Sequence, residues 1–260
     1  RVRRPGLPLV TIPTTPGSGA EVSSHAVLLQ LSPRKKEVVA GFHLLPRGAV
    51  VDPELTLTLP PPQTAWSALD GFIHAVEAFL ARRATPFTDG FARPAVPAIS
   101  RALPRVLANG ADDAAREALS LGCLQSGLAM ANANAGAIHA LGYPLTGRYG
   151  IPHGLANALV AASTLERIWP GSPERCAELA RLLGDGHPDA QALDGLAGCS
   201  AIACDTDGID GTEDNAGAVC DGGTVGRLAA LGLTAKGFLA GNDAYTPFER
   251  LGDLVVTGPT

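Results

Sequence analysis

PPPQTAWSALDGFIHAVEAFLA, residues 60–81, is the stretch on which the fold reading turns. Prolines open it, and a fixed φ with no backbone N–H suits a first helical turn. An apolar pattern of helical spacing follows, with Thr64 as the expected cap. Asp70 and His74 stand four apart in it, so one helical face carries both. His139, in AGAIHALGYPL, and His153, in YGIPHGLANALV, each open or interrupt an apolar segment beside Gly or Pro. A helix end there can aim a side chain into a cleft. One carboxylate and three imidazoles are a donor mixture suited to a divalent transition metal, and four protein groups leave room for a substrate oxygen. The competing reading is that of hydrogen-bonded core histidines, since Asp-x-x-x-His also arises by chance in helices.

Outward from this helix the pattern stays helical to about residue 184. A segment near 88–108 contains Pro94, Pro97 and Pro104, which predict kinks or breaks. Asp112 to about Ala133 is Ala/Leu-rich and reads as one helix. Another helix is expected after His153, and SPERCAELARLLG, 172–184, offers Ser172 as cap and Pro173 at the first helical position. Residues 7–58 differ: the short runs LPLVTI, VSSHAVLLQL, EVVAGF and GAVVD, separated by turn formers, read as strands.

Composition narrows the classes of function. Of the 260 residues 46% are hydrophobic and 17% charged, which favours a buried core over a disordered chain. A net charge of −5, with no Lys/Arg stripe, argues against a nucleic-acid surface. No long uncharged apolar run predicts a membrane span. The five cysteines show no C-x-x-C pairing, so reduced thiols and a cytoplasmic location are expected.

IPTTPGSGAEVS at 12–23, VDPELTLTLPPPQTAWSALDGFIHAVEAF at 51–79 and AIHALGYPLTGRYGIPHGLANAL at 137–159 together resemble the iron-containing (group III) alcohol dehydrogenase family, over about residues 5–195. The resemblance implies a mainly α fold of the dehydroquinate-synthase-like/iron alcohol dehydrogenase type. A β-rich remnant of the cofactor-binding region would occupy 1–58, and a helical metal-binding domain 59–195. It implies Fe²⁺, or Zn²⁺, on Asp70, His74, His139 and His153, and hydride transfer between a small alcohol or its aldehyde or ketone and NAD(H) or NADP(H). The ligands alone do not separate Fe²⁺ from Zn²⁺. A homo-oligomer is one expected assembly.

By the same resemblance Thr14, Thr15, Ser23 and Lys36 are candidate cofactor contacts. Read without it, Thr14 and Thr15 are a polar turn and Lys36 a solvated charge, and Lys35 could exchange roles with Lys36. Tyr143 stands where many family members have a second histidine that passes protons. An unperturbed phenol is a poor base near neutrality, so an orienting role and simple packing both remain open. His25, His43 and His187 read as bystanders.

From about Ala197 Gly and Asp become dense. The segments DTDGIDGTEDNAGAV at 205–219, Asn242 to Tyr245, and LGDLVVTGPT at 251–260 resemble the C-terminal (MOFRL) domain of type 2 glycerate kinases, also called hydroxypyruvate reductases. Residues 198–260 are therefore expected to form a partial α/β domain, joined near 195–199 to the dehydrogenase part. The dehydrogenase family's N-terminal α/β half, with its Gly-Gly-Gly-Ser phosphate-binding turn, is absent from these residues. Truncation, a fusion and weak turnover are the corresponding expectations. The alternative function is a glycerate 2-kinase remnant with a foreign leader.

Overall fold

Pro61 and Pro62 begin α1 (Pro61–Leu80) directly after Pro60, with no side-chain cap. Prolines in the first turn have no N–H for a cap to satisfy, so the helix starts three residues before Thr64. Thr64 instead lies buried inside it; its hydroxyl donates to the Leu59 carbonyl and accepts from Arg116. This computed structural model describes residues 6–32, 34–184, 201–204, 217–220, 224–233, 245–252 and 254–255. The chain divides into two units, residues 1–192 and 193–260.

In the first unit α1 packs with α2 (Pro86–Ala108) and α3 (Asp113–Ala133), and α4 (Ala137–Tyr149), α5 (His153–Ile168) and α6 (Pro173–Leu183) complete the helical array. The core is formed by Ala75, Val76 and Phe79 of α1, Val96, Ile99 and Leu103 of α2, and Leu119 and Cys123 of α3. Helix α2 runs unbroken through Pro94, Pro97 and Pro104, contrary to the expected breaks. Its buried stripe is Ala92, Ala95, Val96, Ile99, Leu103 and Val106, whereas Pro94 is exposed and Pro97 and Pro104 are half-buried. The prolines thus sit off the core stripe, where solvent can take the carbonyls they strand, and packing against α1 and α3 holds the helix together. Asp112 caps α3 through Ala115 N, as its position suggests, but Ser172 makes no side-chain cap bond to α6.

Four strands precede α1: β1 (Val10–Thr11), β2 (His25–Leu31), β3 (Arg34–Ala40) and β4 (Gly48–Ala49). β2 and β3 form an antiparallel hairpin, and β1 and β4 a short parallel pair. The hairpin's β3 lies against α4, which brings Lys36 toward that helix.

The second unit contains a three-stranded antiparallel sheet of β5 (Ala201–Cys204), β6 (Gly217–Cys220) and β7 (Leu254–Val255), with helices α7 (Thr224–Ala230) and α8 (Tyr245–Leu251). The expected junction at 195–199, the motif at 205–216 with its aspartates, and the terminal residues 256–260 lie outside the described residues, as does His187. No helix among the described residues is long and apolar enough to cross a membrane.

Helix α6 locks the end of α1 in place through Arg175. Its guanidinium donates to the Phe79 carbonyl, an orphan of the α1 C-terminus, and to both oxygens of the buried Asp89 at the start of α2. Arg175→Met removes these bonds and leaves Asp89 only the looser Arg93 contact at 3.5 Å. We expect a loss of about 2 kcal/mol, read from the urea midpoint at unchanged slope.

Candidate metal centre

Asp70, on the third turn of α1, faces two histidines carried by later helices. His139 is the third residue of α4 and His153 the first of α5, so both project from helix starts, as their Gly and Pro neighbours suggest. His139 Nε2 lies 3.3 Å and His153 Nε2 3.6 Å from Asp70 Oδ1. One donor atom from each of these three residues lies within 4.8 Å of the others. His74 is not in that tight set. Its ring stacks on His139 at 4.6 Å between centroids, and its Nδ1 donates to the Gly17 carbonyl at 3.3 Å. That bond leaves Nε2 as the lone-pair nitrogen of neutral His74.

Close approach of backbones assembles the cluster. A Cβ on Gly154 would fall on the Trp66 carbonyl of α1, so only glycine lets α5 begin against Asp70. A Cβ on Gly17 would likewise strike the Ser67 carbonyl, so the TTPGSG loop lies directly on α1 beside His74. Thr14 and Thr15 are exposed on this loop. Ser23 is buried and its hydroxyl accepts from His25 N, away from the cluster's own bonds.

Two buried residues in the centre escaped the sequence reading. Glu77 of α1 accepts from His139 Nδ1 at 2.6 Å, from Ile138 N at 2.6 Å and from Gly136 N at 2.9 Å. Asn157, fully buried on α5, donates to Asp70 Oδ1 at 3.0 Å and lies 3.4 Å from His153 Nε2. A signal for both existed: Glu77 is seven residues after Asp70, and Asn157 four after His153, which places each on its partner's helical face.

The electrostatics follow from this packing. Burial raises the Asp70 carboxyl, but His74, His139 and His153 outweigh it and hold the group ionised, well below the usual carboxylate range. Burial also lowers His74 despite the pull of Asp70, so it stays neutral near pH 7. His139 goes the other way: burial opposes its charge, yet Asp70 and Glu77 on its two nitrogens raise it to about 9. His153 falls to about 4, chiefly because burial outweighs the attraction of Asp70, and Lys36, His139 and His74 lower it further.

Tyr143 stands one turn beyond His139 and completes the rim, its ring 5.5 Å from His153 and 6.4 Å from His139 between centroids. Burial, with Asp70 and Glu77 nearby, raises its phenol further and keeps the hydroxyl protonated. Lys36 Nζ sits 5.1 Å above the Tyr143 ring, while the neighbouring Lys35 pairs with Glu37 on the surface. Of the two lysines it is therefore Lys36 that faces the centre.

The donors fit a divalent ion. His139 Nε2, buried and without a well-aligned hydrogen bond, lies 3.3 Å from an oxygen of the ionised, buried Asp70, and His153 Nε2 lies 3.6 Å from the same oxygen. The sequence matches the C-terminal model of the Fe-containing alcohol dehydrogenase family over residues 64–210, and the iron-containing alcohol dehydrogenase model over residues 1–53. The chain belongs to the Fe-containing alcohol dehydrogenase family. Within this family it is 40% identical, over 184 residues, to long-chain-alcohol dehydrogenase 1 of Geobacillus thermodenitrificans, covering 70% of this chain and 46% of that one. With 1,3-propanediol dehydrogenase of Citrobacter freundii it shares 35% over 187 residues, 72% of this chain and 48% of the relative. A crystal structure of 1,3-propanediol oxidoreductase superposes with a TM-score of 0.69 at 34% identity, covering 75% of this chain and 51% of that one. The chain thus spans about half the length of the curated relatives it matches.

Proposed function

We propose that this chain carries the metal-binding part of an NAD(P)-linked alcohol dehydrogenase, with Asp70, His74, His139 and His153 as ligands of one Fe²⁺ or Zn²⁺. The observation that carries this reading is the convergence of Asp70, His139 and His153 from three separate helices, with neutral His74 stacked beside them. Three imidazoles and one carboxylate leave a residual positive charge with a divalent ion, which favours a developing negative charge on an alcohol oxygen. Bound there, the ion supplies Lewis acidity toward that oxygen, and the nicotinamide exchanges the hydride.

The chain's own residues arrange the rest. Asp70 holds the charge balance, and Asn157 fixes its carboxylate orientation. Tyr143, protonated and at the rim, donates a hydrogen bond that orients the substrate oxygen. Lys36, whose ammonium character burial weakens, holds its Nζ above that ring and would contact the cofactor ribose, a reading its place beside Tyr143 supports. Thr14 and Thr15 present exposed hydroxyls on the loop that touches His74 through Gly17, and Ser23 lines the same region of chain as a further cofactor contact. Long-chain alcohols and 1,3-propanediol, the compounds in the names of two relatives, are the substrate classes to try first.

The residues would divide functionally as 1–58 for cofactor contact and 59–195 for the metal. Residues 198–260 remain a candidate glycerate-kinase-like fragment. Support for that last part is the sequence resemblance and a separate antiparallel sheet in the second unit.

Reduction of NAD⁺ or NADP⁺ by these alcohols should depend on added Fe²⁺ or Zn²⁺, and Asp70→Ala should abolish that dependence. Measurable nicotinamide reduction that is equal with and without metal would overturn the assignment.

A further inference from the structure

We propose that Glu77 is the positioning residue of the centre, locking His139 into the one tautomer and ring orientation that can present Nε2 to a metal. The inference rests on the metal reading above and extends it to a residue that touches neither metal nor substrate.

A buried carboxylate is unfavourable unless its oxygens are hydrogen-bonded. Glu77 is 4% exposed, on a helix whose neighbouring buried positions are Val76, Ala78 and Phe79. If its purpose were only to start α4, the amides of Gly136 and Ile138 would satisfy it. It makes a third bond, at 2.6 Å, to the side-chain nitrogen of His139. An ionised carboxylate can only accept, so Nδ1 keeps its hydrogen, and Nε2 is the nitrogen left to give up its proton and offer a lone pair when a metal binds. That nitrogen is the one 3.3 Å from Asp70.

The same carboxylate therefore fixes the backbone that delivers His139 and the hydrogen that dictates which nitrogen it offers. Gly136 leaves the space this needs, because a Cβ there would fall 2.8 Å from Glu77 Oε1. Carboxylate–histidine pairs of this kind make the imidazole a better donor, and losing the outer partner weakens metal binding roughly 10–100-fold.

Glu77→Gln keeps the shape but turns one acceptor into a donor facing a donor. Zn²⁺ titration of the 260-residue chain, by calorimetry against a competing chelator, should show that roughly 10–100-fold loss with one ion still bound. In the Zn²⁺-loaded wild-type chain, the His139 side-chain proton should couple to Nδ1 and resonate far downfield. In Glu77→Gln it should move upfield, a shift that a purely structural role would not produce. Wild-type affinity in Glu77→Gln would overturn the proposal. So would an Nε2-protonated His139 in the Zn²⁺-loaded wild type, a measurement that stands even if the variant does not fold. Failure of the wild-type chain to bind Zn²⁺ would instead remove the metal reading itself. Asp70-dependent binding indifferent to Glu77 would remove this inference alone.

Discussion

An Asp70→Ala/His139→Ala chain should bind Fe²⁺ or Zn²⁺ far more weakly than wild type, by more than the roughly 10–100-fold that loss of an outer partner causes. The change deletes the carboxylate on which the cluster converges and one of the two nitrogens closest to its oxygen. It also leaves His74 and His153 without the carboxylate whose charge attracts both. Both imidazoles are already held neutral by burial, so the remaining pair offers a cation no compensating charge. Calorimetry reads the outcome, and affinity unchanged from wild type would show that the ion binds elsewhere.

Phe79→Ala should cause the largest loss of stability, about 3–5 kcal/mol. The ring is fully buried at the end of α1 and lies 4.0 Å from the Arg175 guanidinium and 5.4 Å from that of Arg93. Truncation opens a cavity between α1, α2 and α6 and removes both cation–π contacts at once. Arg175, still bonded to the residue 79 carbonyl and Asp89, would then border a void. Both tryptophans, Trp66 and Trp169, lie in the first unit, so their fluorescence during urea unfolding follows that unit alone. A midpoint within error of wild type would contradict this account of the core.

The helical architecture was legible because its signals are local. Asp112 before an Ala/Leu-rich run and Pro173 at a first turn are decided by their neighbours, as is the i, i+4 placement of Asp70 and His74. What misled was equally physical. Thr64 has the chemistry of a cap, but prolines ahead of it had already begun the helix. Pro94, Pro97 and Pro104 predict breaks only if nothing holds the helix, and tertiary packing does.

The candidate site was legible to the extent that Asp70, His139 and His153, which the structure brings together, are unusual residue types in apolar surroundings. Glu77 was hidden because a glutamate in a helix normally reads as a solvated charge. Only contact with the start of α4, some sixty residues on, shows that it is buried and bonded. The stacking of His74 on His139, rather than convergence with the other three, depends on side-chain rotation that spacing does not encode.

A four-ligand centre needs that ring turned so that His74 Nε2 joins Asp70, His139 and His153. X-ray absorption at the zinc edge of the Zn²⁺-loaded chain tests it most directly. The account predicts a first shell of nitrogen and oxygen at about 2.0–2.2 Å with outer scattering from three imidazoles, falling to two imidazoles in His74→Ala. A sulfur shell at about 2.3 Å, or a spectrum unchanged by His74→Ala, would contradict it.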